Sequence, residues 1–255
     1  MRLGLIDKVA LVQGASQGLG YAVALELAWE GARVVVCSRD RDRIEKAAAD
    51  IREKTGKDPV LPVVCDVTDA DARRQALAAA ESHFGKVDIL VTNSGGPAAG
   101  RITDMTSAQW DFALHNNLLA AKDSALEVLP AMRAQGWGRI IFITSIAAKQ
   151  PIQSLVLSNT ARAGLAAFAR TLANEVAADG VTVNSVLPGT HDTERLRELH
   201  ADFGDSERVA RDIPMGRLGK PKELAAVVAF LASVRASFVT GQAIVVDGGS
   251  SRTTF

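Results

Sequence analysis

Val9-Ala-Leu-Val-Gln-Gly14-Ala-Ser-Gln-Gly18-Leu-Gly20 decides the fold. The run begins with a short β-branched apolar stretch and ends in three spaced glycines that open onto a segment rich in Ala and Leu. A strand, a glycine turn and a helix in that order let the backbone reverse sharply and approach a pyrophosphate. The unpaired N–H groups of the helix N-terminus then face its charge. Glycines alone are a weak signal, since ordinary turns use them for steric reasons. The position between a strand and a helix gives them weight.

Outward from this turn, β-branched runs alternate with helical patterns. Val9–Val12, Val34–Cys37, Val60–Cys65, Val87–Thr92, Arg139–Thr144, Val181–Leu187 and Ala243–Val246 read as seven strands. Alternation with helices predicts an α/β fold with a parallel sheet, and consecutive apolar positions predict strands covered on both faces. Leu114, Leu118, Ala121, Ala125, Val128 and Met132 form one helical stripe; Ala161, Leu165, Phe168, Leu172 and Val176 form another. Right-handed crossovers favour a doubly wound order, with the functional crevice beyond the carboxyl ends of the strands. At 255 residues, without a linker or repeat, the chain reads as one domain over 1–255.

Composition narrows the partners. Lys plus Arg and Asp plus Glu are 29 each and no basic block occurs, so nothing points to nucleic acid or an anionic membrane surface. A small-molecule partner is expected. The first eight residues lack an apolar signal-type core, and the longest apolar run, Ala225 to Ala232, is too short to span a bilayer. A cytoplasmic location is the simplest expectation. Cys37 and Cys65 end two predicted strands without metal-ligand or C-x-x-C spacing, so they read as reduced, partly buried thiols, and no metal site is expected.

Further motifs follow in a fixed order: Asp66-Val67, Asn93-Ser-Gly-Gly96, Pro188-Gly189 with Thr193, Pro214-Met-Gly-Arg-Leu-Gly-Lys-Pro221, and Val239-Thr-Gly-Gln-Ala-Ile-Val-Val-Asp-Gly-Gly249. With the Gly-x-x-x-Gly-x-Gly turn, this series resembles the short-chain dehydrogenase/reductase family over nearly the whole chain, and within it proteins like 3-oxoacyl-[acyl-carrier-protein] reductases. The resemblance implies a Rossmann fold that binds a nicotinamide dinucleotide. By that implication Gly14, Ser16, Gln17, Gly18, Leu19 and Gly20 hold the phosphates, Asp66 and Val67 the adenine, and Asn93 and Gly95 the ribose side. Pro188, Gly189 and Thr193 take the nicotinamide end. Gln13 stands where the family usually has Thr, and Ser94-Gly95 replace the common Asn-Ala; neither adds charge or bulk that would exclude the cofactor.

An acid ending the second strand would pair with the ribose 2′-hydroxyl of NAD(H), but this strand ends Val36-Cys37-Ser38-Arg39. Ser38 and Arg39 therefore favour NADP(H), whose extra phosphate suits a guanidinium. The alternative is that Arg39 is one charge of the solvated run Arg39–Arg43.

The family carries Asn, Ser, Tyr and Lys at its catalytic centre. The resemblance places Asn117 and Ser145 at the first two positions. Thirteen residues beyond Ser145 lies Ser158 in place of Tyr, and Arg162 follows in place of Lys. The single Tyr of the chain is Tyr21, beside the glycine turn, so no shift of register supplies the phenol. A serine hydroxyl is a far weaker acid and is shorter by a ring, while a guanidinium can bond a ribose but cannot relay a proton. Lys149, His191 and Asp192 are candidate substitute donors, with a solvated loop position the plainer reading of each. Ser145 can simply satisfy backbone groups, Asn117 can brace a helix bulge, and Ser158–Arg162 can be a helix-capping segment. His83 and His200 fall in polar helical stretches and need no special role.

The reading that follows is an NADP(H)-linked oxidoreductase for a small carbonyl, alcohol or imine with an altered proton donor. The competing one is a non-catalytic dinucleotide-binding protein, either a redox sensor or an inactive subunit. Non-redox chemistry, as in halohydrin-dehalogenating relatives, ranks last, because those keep the Tyr and lose the glycine turn. The charged segment 190–213 falls where the family covers its substrate. The resemblance also implies a homo-oligomer, a tetramer; Ala120, Ala121, Ala166, Ala167 and Ala173 would permit close helix approach, or can equally pack on the sheet.

Overall fold

The computed structural model describes residues 2–56, 59–194, 196–197 and 206–254. Seven parallel strands form one sheet: β1 (Val9–Gln13), β2 (Arg33–Ser38), β3 (Val60–Val64), β4 (Ile89–Thr92), β5 (Gly138–Ile143), β6 (Val181–Pro188) and β7 (Ala243–Val246). Their order is β3-β2-β1-β4-β5-β6-β7. The chain builds outward to β3, crosses back to lay β4 beside β1, with Ala10 opposite Ile89, and then builds the other way. All seven predicted strands are present, shifted by at most two residues at an end.

The helices are α1 (Gly18–Trp29), α2 (Arg41–Thr55), α3 (Ala70–Phe84), α4 (Ser107–Leu114), α5 (Ala120–Gln135), α6 (Val156–Val176), α7 (Ser206–Arg211) and α8 (Pro221–Ala232). One core layer packs α1, α2 and α8 on the sheet through residues such as Val23, Leu27, Ile44, Ile51 and Val228. The other packs α3, α5 and α6 through Ala76, Val128, Met132, Leu165 and Leu172. Every residue of β1, β4, β5 and β6 is buried, the polar Thr182, Asn184 and Ser185 of β6 included, as befits strands covered on both faces. No helix of the described residues is long and apolar enough to cross a membrane.

Two expectations need correction. Cys37 and Cys65 are fully rather than partly buried, because both lie in the core layer that α3, α5 and α6 form against the sheet. Ser158 does not cap a helix. The N-cap of α6 is Leu155, three residues earlier, and Asn159 instead bonds both backbone groups of Ile152. Of the five alanines, Ala120, Ala121 and Ala173 are buried in the chain's own core, the alternative left open for them, whereas Ala166 is half-buried and Ala167 exposed.

Candidate active site

The glycine turn is held by close approaches that only glycine allows. Gly14 (φ +60°) and Gly18 (φ +61°) take the left-handed conformation. A Cβ on Gly20 would lie 2.2 Å from the Gly14 carbonyl oxygen and 2.9 Å from the Asn93 amide nitrogen. Asn93 Nδ2 donates to that same carbonyl (3.1 Å), tying the turn after β1 to the end of β4. The extended Gln17 begins α1 with no side-chain cap and no acid in the first turn, so the helix's first N–H groups are left for an anion. Leu19 packs against the core, and Ser16 lies in the turn between. Thr193 faces the turn from the opposite lip, with its Cγ2 3.6 Å from where a Cβ of Gly18 would stand.

The residues that depart from the family pattern have local work. Gln13 is buried, donates to Ser124 Oγ on α5 (2.9 Å) and lines the cavity beside Asn117. Ser94 accepts from Asn117 Nδ2 (2.9 Å), which also donates to the Gly95 carbonyl (2.9 Å), as does Asn116 (2.9 Å). Asn117 owes this aim to a π-helical turn, His115–Leu119, between α4 and α5. Its Oδ1 is buried without a hydrogen-bond partner among the described residues. A small cavity lies beside it, lined by Asn93, Ser94, Asn116, Asn117, Ile143 and Arg162 among others.

Ser145 follows β5 and accepts from Ala147 N (3.1 Å), so it does satisfy a backbone group while lying at the carboxyl edge. Ser158 and Arg162 occupy successive turns of α6, and both are buried. Arg162 donates to the Ile143 carbonyl (3.4 Å), and no carboxylate pairs with it among the described residues. Burial pulls its guanidinium down to about 10, so it remains a cation at neutral pH.

At the other end of the crevice, Ser38 bonds the Asp40 carbonyl (3.1 Å) and Asp40 caps α2. Arg43 donates to Gln17 Oε1 (3.1 Å), reaching back to the glycine turn, which sequence reading missed because a solvated charge run hides such a reach. Arg39 is exposed and bonded to nothing among the described residues. Asp66 stands below the usual carboxyl range. Burial pushes it up, but hydrogen bonds from Thr68 N and Oγ1 outweigh that, and the nearby Arg39 and His115 lower it further.

Each candidate substitute donor has its own surroundings. His191 is buried, its Nδ1 bonded with the Gly189 carbonyl (3.1 Å) and its ring against Gly219. Asp192 pairs with Arg197 (2.9 Å). Lys149 is exposed and shares a separate hollow with Arg170 and Gln242. Pro188 ends β6, and Gly189 N donates to Val246 O (2.9 Å) while its Cα passes against Asp247, where a Cβ would clash at 2.5 Å. His83 lies in the last turn of α3; His200 and residues 195 and 198–205 of the expected covering segment lie outside the described residues.

A doubly wound parallel sheet whose first turn is this glycine cradle, with a polar crevice at the switch between β1 and β4, defines a Rossmann-type domain. Comparison with known proteins goes further. Residues 14–251 match the family model described as enoyl-(acyl carrier protein) reductase. The chain is 35% identical over 247 residues to dehydrogenase/reductase SDR family member 4 of Oryctolagus cuniculus, covering 96% of this chain and 94% of that protein. Among solved structures, L-sorbose reductase of Gluconobacter frateurii, complexed with NADPH and L-sorbose, superposes with a TM-score of 0.93 at 37% identity, covering 99% and 100% of the two chains. An NADPH-bound short-chain oxidoreductase of Pseudomonas aeruginosa PAO1, described as containing an atypical catalytic center, gives 0.92 at 33% identity, covering 98% and 99%. This chain belongs to the short-chain dehydrogenase/reductase family.

Proposed function

We propose that this protein is an NADP(H)-linked oxidoreductase that acts on a small carbonyl, alcohol or imine with a proton donor other than tyrosine. The observation that carries the reading is the intact glycine cradle with an exposed Arg39 that has no hydrogen bond or ion pair among the described residues, joined to a centre with Ser158 and Arg162 where the family has Tyr and Lys. L-sorbose reductase and the atypical Pseudomonas oxidoreductase, both seen with NADPH, support it.

The nicotinamide cofactor supplies the hydride when bound. The residues of the chain do the rest. Gly14, Ser16, Gln17, Gly18, Leu19 and Gly20, with the N-terminus of α1, receive the pyrophosphate. Arg39, with Ser38 and Arg43, meets the 2′-phosphate. Asp66, Val67, Asn93 and Gly95 hold the adenosine side, and Pro188, Gly189 and Thr193 the nicotinamide end. Arg162 bonds the ribose from the floor of the crevice, held by Ile143 O. Ser145 orients the substrate oxygen or nitrogen, and Asn117 fixes the Ser94-Gly95 loop.

Neither Ser158 nor Arg162 can deliver a proton at neutral pH, since a serine hydroxyl is too weak an acid and the guanidinium stays charged. Proximity is retained, general-acid catalysis is reduced, and an already protonated imine is the substrate class that needs that acid least. The segment 190–213 covers the substrate, and the working form is a cytoplasmic homotetramer. A non-catalytic dinucleotide-binding role is the second reading, favoured by the same loss of an acid.

Calorimetric titration with NADPH and NADH, followed by turnover on ketone and imine panels, tests the proposal. NADPH should bind more tightly than NADH, and Arg39→Ala should erase the difference. Equal affinities, or no binding, would overturn the cofactor assignment. NADPH binding without turnover of any ketone or imine would favour the non-catalytic role.

A further inference from the structure

Arg73 lies in the first turn of α3 with its guanidinium 5% exposed, and it reaches in three directions. Nε pairs with Glu127 (3.2 Å), Nη2 with Asp123 (3.4 Å) and Nη1 donates to the Val67 carbonyl (2.8 Å). Asp123 and Glu127 stand one turn apart on α5, so the two carboxylates present one acidic face toward α3. An ion triad whose cation is buried and whose carboxylates are half-buried is weak support for stability alone, because desolvation of the guanidinium consumes much of the Coulomb gain. The third donor is what such a triad does not require. It is spent on a loop carbonyl one residue from Asp66.

That loop is held at consecutive residues from two elements. The Val67 carbonyl is fixed by Arg73, and the Thr68 carbonyl by His115 Nε2 (3.0 Å), which lies on the π-turn that also carries Asn117. Asp66 accepts from Thr68 N (2.9 Å) and Thr68 Oγ1 (2.7 Å), closing the turn from inside. The peptide planes around Val67 therefore cannot rotate without breaking a bond to α3 or to the α4–α5 junction.

We propose that Arg73 is a positioning residue for cofactor binding: anchored by Asp123 and Glu127, it sets the orientation of the Asp66–Thr68 loop against α5. The inference rests on the reading of Asp66 and Val67 as the adenine side of a dinucleotide site. Arg73 acts through Val67 and touches no reacting atom, so its effect falls on cofactor affinity and not on the chemical step. Only a planar, multiply donating cation can serve two carboxylates and a carbonyl at once, so Lys is an incomplete replacement.

The test uses the full chain, with NADPH as the probe and three variants: Arg73→Met, Arg73→Lys and the pair Asp123→Asn with Glu127→Gln. The pair keeps the acceptor oxygens but removes their charge. Arg73→Met should weaken NADPH binding about tenfold, the scale of one lost charge-assisted bond. It should raise the NADPH KM in step, leave kcat within about twofold, and speed amide exchange across residues 66–69 without cofactor. The pair should lower thermal stability yet keep NADPH affinity within about threefold, and Arg73→Lys should fall between Arg73→Met and the unaltered protein.

Equal losses of affinity in Arg73→Met and in the pair, tracking equal losses of stability, would overturn the proposal in favour of a purely structural triad. Unchanged exchange at 66–69 in Arg73→Met would overturn it as well. If Arg73→Met does not fold, Arg73→Lys decides: affinity and exchange indistinguishable from the unaltered protein would overturn the role. If the unaltered protein binds no dinucleotide, the functional reading falls instead, and exchange at 66–69 still decides whether Arg73 holds the loop.

Discussion

Arg162 concentrates the residue-scale physics. It is a cation enclosed with a single carbonyl partner among the described residues, and burial alone pulls its guanidinium well below the usual arginine range, to about 10. That corresponds to a cost on the order of 3 kcal/mol while it is charged and the protein folded. Arg162→Met should therefore raise the melting temperature by several degrees at pH 7 while weakening the nicotinamide end. The sign against pH is fixed. From about 10 up to the usual arginine range the unfolded chain keeps the proton that the folded one has released, so the unaltered protein gains stability as pH rises there. The gap between it and Arg162→Met should narrow across that window in chemical denaturation. A gap independent of pH would show that burial is not the cause. At the same scale, Ser158→Tyr with Arg162→Lys should raise ketone turnover more than about tenfold with little change in NADPH affinity, and more than either single change. A fast unaltered enzyme whose rate survives Ser158→Ala would point to another donor. The identities of Ser158 and Arg162 were legible in sequence, because a fixed spacing from Ser145 needs no coordinates. Their burial was not, nor was the Asn117 contact with Ser94, since side-chain direction depends on elements far apart in the chain.

At the scale of elements, the first strand, turn and helix form one unit. Gly20 has no room for a methyl group, because the Gly14 carbonyl and the Asn93 amide fill the position. Gly20→Ala should therefore cost about 2–4 kcal/mol in urea unfolding and weaken NADPH more than tenfold, as the turn must open to admit the Cβ. A variant of undiminished stability would mean that the turn yields easily. Strands and helix stripes were readable because burial on both faces and helical spacing leave distinct patterns, as in β6 and α6. The π-turn was legible only as the helix bulge that Asn117 can brace, since Leu114 and Leu118 form one continuous stripe with Ala121 and an extra residue in a single turn leaves no compositional trace. Asp40 looked like part of a solvated charge run, yet it caps α2, a role set by its backbone (φ −96°, ψ 117°).

For the whole molecule, assembly is the open quantity. Phe112, Leu119 and Leu126 stand exposed at intervals of seven along the α4–α5 length, and Phe238 is fully exposed before β7. These apolar side chains, together with Ala166 and Ala167, which are not buried, are surface that a homotetramer would cover. Light scattering at micromolar concentration should give about four times the chain mass of 26.9 kDa, and Leu126→Glu should lower it. A monomer in the unaltered protein would refute the assembly. The strand order carries a separate consequence. Because the chain completes β1 to β3 before it lays β4 against β1, the crevice is a seam between two lengths of polypeptide. Gly14 to Gly20, Arg39 and Asp66 come from the earlier length; Asn93, Asn117, Ser145, Arg162 and Thr193 come from the later one. Any occupant of the seam is thus a cross-link between halves made at different times during synthesis. Its grip reports how well those halves are joined, and so it senses damage to either half that leaves each half's own packing untouched.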